Sequence, residues 1–134
     1  MQSVKEFPYL SIIWDKETRS MISQWHGGHV RRDIKMGLDT TLDEYKKKLP
    51  GAQWIGDTTD IGMIGLEEQA WIDKEWFPQF LVTEVKFMAV IQPKSAVAKL
   101  MVNQIVSKIP GTRLTVFNCA TLEEARAWMK QQKF

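Results

Sequence analysis

Residues 52–81, AQWIGDTTDIGMIGLEEQAWIDKEWFPQFL, decide how this chain is read. Ala52 to Ile55 is a short apolar run of the kind that forms a buried strand, and Pro50-Gly51 before it ends whatever precedes. Asp57-Thr58-Thr59-Asp60 and the glycines at 62 and 65 then make an acidic, turn-rich loop. From Leu66 to Phe80 apolar residues return at helical spacing, with an interruption expected near Pro78, which cannot donate an N–H to the preceding turn. Strand, glycine-rich loop and aromatic helix in succession are one unit of an α/β sheet. Ligands and partners of such sheets are met just beyond the carboxyl ends of the strands, the position Asp57, Thr58, Thr59 and Asp60 occupy.

Outward from this unit the pattern repeats. Residues 9–14 and 19–25 are short β-rich runs separated by the polar Asp15-Lys16-Glu17-Thr18, which reads as a hairpin. From about His29 the period changes. Val30, Ile34, Leu38, Leu42, Tyr45 and Leu49 recur at three and four residues and predict one face of a long helix. Downstream, VKFMAVI at 85–91 is an almost wholly apolar strand ended by Gln92-Pro93-Lys94. Ser95 is placed to cap a helix to about Ile109, with Val97, Leu100, Met101, Ile105 and Ile109 inward and Pro110-Gly111 as its stop. Leu114 to Phe117 predicts the last strand. Thr121 and Glu124 form a capping box before a final helix through Trp128. The expected order is ββαβαβαβα, an α/β fold. Its five-stranded mixed sheet carries the first hairpin as an antiparallel edge and has parallel strands at Ala52, Val85 and Leu114.

A chain of 134 residues is the size of one domain and can bury a core unaided. A single cysteine, Cys119, excludes an internal disulfide, and two histidines with scattered carboxylates are too few for a closed metal site, so neither metal nor cofactor is expected. The opening MQSVKEFPYL has no apolar leader, and no run reaches the roughly 20 apolar residues that span a bilayer. A cytoplasmic setting without membrane insertion fits best. With 18 basic and 16 acidic side chains interleaved, nucleic acid is not favoured. The one basic run, Lys46-Lys47-Lys48, complements the dipole at a helix end. Six tryptophans are a high load for this length and point to protein or apolar-ligand contacts.

Several side chains invite a chemical role beside a plainer one. His26-Gly27-Gly28-His29 sets two imidazoles around a turn, where a strand-to-helix connection explains the glycines. Arg31 and Arg32 open a helix where cations are unfavourable, and a neighbouring carboxylate would offset that. Cys119 precedes a helix and could be an activated thiol or a small packing residue. Asp57 and Asp60, with Thr58 and Thr59, could serve acid/base work, hold a cation or meet a partner, or simply cap turns. On a 100° wheel Leu66, Ala70, Trp76, Phe77, Phe80 and Leu81 share an arc with Asp73, while Trp71 points to the polar side. Asp73 and Trp71 therefore join Asp57, Thr58, Thr59 and Asp60 as a candidate interaction surface. A second possibility is an apolar ligand pocket walled by Trp54, Trp76, Phe77, Phe80 and Met88. An enzyme built on Asp57 with His26 or His29 has no motif behind it.

Four segments carry a resemblance: YLSIIWDKETRSMISQWHG, WIGDTTDIGMIGLEEQAWIDKEWFPQF, VKFMAVIQPKSAVAKL and VFNCATLEEARAWM. Together they make the chain resemble the SpoIIAA-like superfamily, which contains the STAS domains and has Sec14-type lipid-binding domains as structural relatives. The resemblance implies a sheet with helices packed mainly on one face. It also implies a regulatory protein contact switched by phosphorylation at an Asp-Ser or Asp-Thr site. This sequence has Met63-Ile64-Gly65 near the acceptor position and no hydroxyl there, with Thr58 and Thr59 several residues earlier. The expectation is a non-enzymatic interaction domain acting by protein contact, as a homo-oligomer such as a dimer. The alternative is a carrier or sensor of a small apolar or lipid-like ligand.

Overall fold

Among the described residues six strands, one more than the apolar pattern indicates, form a single mixed sheet in the order β1-β2-β3-β4-β5-β6. They are β1 (Gln2–Phe7), β2 (Leu10–Asp15), β3 (Ser20–Trp25), β4 (Gln53–Asp57), β5 (Phe87–Ile91) and β6 (Thr115–Cys119). The computed structural model describes residues 1–109 and 114–132. The strand missing from the sequence reading is β1. Its QSVKEF has two large apolar residues, Val4 and Phe7, which do not alternate, because an edge strand needs only one partner and little burial. It pairs antiparallel with β2 and carries a bulge between Ser3 and Lys5. β2 and β3 are antiparallel as expected, and β3, β4, β5 and β6 are successively parallel.

Helix α1 (Arg31–Lys46) buries Ile34, Leu38, Leu42 and Tyr45, while Val30 lies before its first turn and is exposed. The next helical region does not break at Pro78. α2 (Leu66–Trp71) passes into a π-helical turn (Ile72–Trp76) and on into α3 (Phe77–Leu81), with the Phe77 N–H reaching the Ile72 carbonyl five residues back. Pro78 can make no α-helical bond to the carbonyl of Lys74, and a widened turn accommodates that loss. The added residue changes the angular step of the helix at this point. Ile72 and Trp76 are buried, Trp76 as the helical arc predicts, and Asp73 on the same arc is half-buried.

Ser95 caps α4 (Ala96–Ser107), its Oγ accepting from the Ala98 N–H at 3.2 Å. The inward face is Ala98, Met101 and Val102, so Val97 and Leu100, expected inside, are exposed. Ala98 sets this face by its smallness, which hydrophobicity alone does not register. The stop at Pro110-Gly111 lies outside the described residues. α5 (Leu122–Lys130) is capped by Thr121, whose Oγ1 accepts from the Glu124 N–H at 3.1 Å. No helix among the described residues is long and apolar enough to cross a membrane.

The strands alternate between two cores. Trp54, Met88 and Val90 face α1, α2, α3 and α4, while Ile55, Ala89 and Ile91 face Ala125 and Met129 of α5. Each large buried side chain of the first core contributes about 1.5–3 kcal/mol. Its polar tips are satisfied: Trp76 Nε1 donates to the Leu38 carbonyl at 2.9 Å, Trp54 Nε1 to Ser23 Oγ at 2.9 Å, and the Tyr45 hydroxyl to the Ala52 carbonyl at 2.7 Å. Burial pushes the Tyr45 phenol up to about 12, against the opposing pull of Thr83. On the second face Arg126 Nε donates to Asp15 at 2.7 Å and its Nη2 to Glu17 at 2.8 Å, tying α5 to the β2–β3 turn. Burial alone would raise the Asp15 carboxyl. The bonds from Arg126 and Thr18 outweigh it and hold the group below the usual carboxylate range.

Candidate functional site

Beyond the carboxyl ends of β3 and β4 the chain builds a crevice between the start of α1 and the loop 57–65. The acidic half of that loop is spent on the fold. Asp57 Oδ1 accepts from the backbone N–H and the hydroxyl of Thr59 at 3.0 and 2.6 Å, and Oδ2 accepts from Gln24 at 3.1 Å. Thr58 donates both its N–H and its hydroxyl to the Ile91 carbonyl, at 3.0 and 2.6 Å. Asp60 meets Lys94 Nζ at 3.4 Å, and the Lys94 N–H donates to the Thr59 carbonyl at 3.2 Å. Asp57, Thr58, Thr59 and Asp60 thus splice the ends of β3, β4 and β5 together. They form the self-bonded turn these residue types favour.

The apolar half of the loop divides inward from outward. Ile64 is buried, and its N–H meets Met101 Sδ at 3.1 Å while its carbonyl accepts from Gln69 at 2.8 Å. Its neighbours Met63 and Leu66 are 59% and 82% exposed. Glycine is needed here: a Cβ at Gly62 would lie 3.0 Å from His29 Nε2, and Gly27, at φ +86°, would bring one within 2.9 Å of the Asp60 carbonyl. Across the crevice Arg31 pairs with Glu67 and with the buried Glu68, at 3.2 Å to the latter. This is the carboxylate that the cation at the start of α1 requires. Glu68 itself gives no signal in the sequence, because a glutamate in a first helical turn is ordinarily solvated.

The crevice, about 310 Å³, is lined by His29, Val30, Arg31, Met63, Gly65 and Glu68 together with Ile34. His29 packs edge-on to Trp25 with ring centres 5.6 Å apart, and its buried Nε2 makes no hydrogen bond. Burial holds its imidazole below the ordinary 6.5, although the Gly62 backbone and Asp33 act the other way. His26 lies elsewhere, with Nε2 2.7 Å from Ser11 Oγ, which in turn donates to Glu6 at 2.6 Å. The two histidines therefore share no ligand, and among the described residues no group of three His, Cys, Asp or Glu side chains could hold a metal ion. Cys119 is buried, and burial together with Glu124 and Asp57 pushes its thiol up to about 11. A thiol held there is protonated at neutral pH, which fits a small packing group.

Trp54, Trp76, Phe77 and Met88 come together around an apolar pocket of about 70 Å³. Phe80 stands behind that wall, stacked on Trp76 at 5.3 Å and edge-on to Trp54 at 5.0 Å. Ile61 and Ile64 of the loop also line it, and Ile34 lines both pocket and crevice. The two Ile-Gly steps, Ile61-Gly62 and Ile64-Gly65, were the available sequence signal for this lining. Trp71 is half-buried against the rim of the aromatic core, with Lys35 Nζ 5.5 Å from its ring centre. Comparison with known proteins gives no match: no family model, no curated protein and no solved structure is significantly similar to the chain.

Proposed function

We propose that this chain is a non-enzymatic interaction domain that acts by protein contact, through the outer side of the loop 61–65 and the start of α2. One observation carries the reading. Met63 and Leu66 are 59% and 82% exposed, on a loop whose buried Ile64 is held by Met101 of α4. Apolar side chains gathered at the carboxyl ends of strands are where an α/β domain meets its partner. The resemblance to the SpoIIAA-like superfamily supports the same reading, with a regulatory protein contact as its consequence, and the contact proposed here is between copies of the chain. Phosphorylation is no part of the proposal, since Met63-Ile64-Gly65 offers no hydroxyl. The test is a Met63→Ser/Leu66→Ser variant followed by sedimentation and denaturant unfolding. Self-association should be lost while stability changes by no more than about 0.5 kcal/mol. A wild-type chain that stays monomeric at every concentration would sink the dimer.

The apolar pocket favours a second reading, a carrier of a small apolar ligand. At about 70 Å³ it is smaller than the roughly 150 Å³ that admits benzene in an engineered protein, so a larger guest requires its walls to move. Native mass spectrometry separates the two readings, because it reports oligomer and bound guest together.

A further inference from the structure

At the opposite end of the sheet, by the turn between β2 and β3, a surface pocket of about 520 Å³ is lined by Trp14, Lys16, Arg19 and Lys48 with Met1 and Gln2. Three cations converge on it and no carboxylate lines it. The nearby acids are engaged elsewhere: Asp15 and Glu17 with Arg126 on the other face of the sheet, Glu17 also with Lys130, and Glu44 with Lys47. Arg19 and Lys48 both lie against the Trp14 indole, at 5.6 and 5.1 Å from its ring centre. Two like charges on one ring repel, and cation–π attraction offsets that only in part.

The pocket is also built rather than incidental. Arg19 holds a left-handed backbone, φ +51°, which few non-glycine residues adopt. That turn aims its guanidinium at the segment after α1, where Nη2 donates to the carbonyls of Lys48 and Pro50 at 3.1 and 3.2 Å. Its remaining N–H groups, and the ammonium groups of Lys16 and Lys48, have no acceptor among the described residues. Lys48 differs in this from its neighbours in the basic run. Lys46 and Lys47 are exposed on the last turn and its end, whereas Lys48 is half-buried over the indole. A helix-dipole role accounts for Lys46 and Lys47 but not for the convergence of Lys48 with Lys16 and Arg19.

We propose that this pocket binds the phosphate group of a small phosphorylated molecule. A phosphate dianion presents three equivalent oxygens to three donors of opposite charge, and Arg19 offers the planar edge that such a group accepts. A monocarboxylate would leave one or more of the cations unpaired. The site lies apart from the loop 61–65, so it is independent of the protein-contact reading.

Inorganic pyrophosphate is titrated into the full chain while the Trp14 indole N–H and the Arg19 Nε–H are followed by heteronuclear NMR. Both signals should shift saturably, and sodium chloride at equal ionic strength should not reproduce the shift. A Lys16→Gln/Lys48→Gln variant should bind at least about tenfold more weakly with an unfolding midpoint close to the wild type's, because neither ammonium makes a hydrogen bond or ion pair among the described residues and the loss of the Lys48 contact with Trp14 is offset by relief of its repulsion from Arg19. Arg19 is left intact, since its carbonyl bonds hold the segment after α1. Equal affinity in the double variant, shifts that follow ionic strength alone, or shifts that fail to saturate would each overturn the proposal. Tighter binding of a short single-stranded oligonucleotide than of pyrophosphate would overturn it as well, by assigning the pocket to a polymer backbone.

Discussion

Under α1, α2, α3 and α4 the sheet is covered by buried rings, Trp14, Trp25, Trp54, Trp76 and Phe80 among them; under α5 the fully buried set is Ile22, Ile55, Ala89, Ile91, Ala125 and Met129, with Phe87, Phe117 and Trp128 packed half-buried against it. The ringed face has more apolar bulk and still retains a pocket. Its indoles are fixed by the hydrogen bonds of Trp54 to Ser23 and of Trp76 to Leu38, so they cannot rotate to fill space. The α5 face buries only small and aliphatic side chains fully, carries its rings half-buried, and is clamped at its margin by Arg126 on Asp15 and Glu17. One face is held by buried rings with imperfect filling, the other by small buried side chains, partly exposed rings and a charged clasp. Size of side chain and quality of packing are thus separate properties.

The largest expected effect tests the ringed face. Trp76→Ala should lower the unfolding free energy by about 3–5 kcal/mol in urea, because the indole's contacts and its bond to Leu38 are lost and the void grows. A loss under about 2 kcal/mol would show that this face was already slack. The clasp comes next. Asp15→Asn should cost about 3 kcal/mol near neutral pH by leaving Arg126 without its buried partner. The folded-state carboxyl of Asp15 lies below its ordinary 3.8, so its contribution is present above that value and disappears as pH falls through the folded one. Unfolding measured between about pH 6 and pH 3 should therefore show a smaller acid loss in Asp15→Asn than in the wild type. An unchanged acid slope would remove Asp15 from the clasp. The smallest effect probes the void. A Cβ at Gly56 would sit 3.6 Å from the Trp54 ring, an ordinary contact, and would relieve a glycine in a strand. Gly56→Ala should stabilise by about 0.5–1 kcal/mol, and a destabilisation would mean that the pocket wall cannot take a methyl group.

Much of this was legible in the sequence, and the failures have physical causes. Ile34, Leu38, Leu42 and Tyr45 announced α1, and VKFMAVI announced β5, because deep burial imposes a clear period. β1 was illegible because an edge strand is fixed by backbone pairing, which any side chain permits. In the helical region 66–81 the wheel placed Trp76, Phe77 and Phe80 inward, where they are buried, and failed at Leu66, which sits in the first turn and is exposed where the core ends. In the candidate site, Asp57 to Asp60 were conspicuous because they are polar, yet they proved to be turn chemistry. Glu68 and His29, which line the crevice, owe their interest to burial by Arg31 and Gly62, and that proximity exists only once α1 and α2 have met.

Strand order that follows chain order has a consequence for how the molecule is made. Each strand pairs with the one before it, so the sheet can grow from the β2–β3 hairpin without a distant segment having to return, an arrangement that favours rapid folding. The exception is Arg126, which meets Asp15 across 111 residues. During synthesis the ringed core can close as soon as α4 has emerged, while Ile22, Ile55, Ala89 and Ile91 stay bare until α5 leaves the ribosome. In that interval the nascent chain presents one finished side and one sticky side, and it is then that chaperones have most to protect.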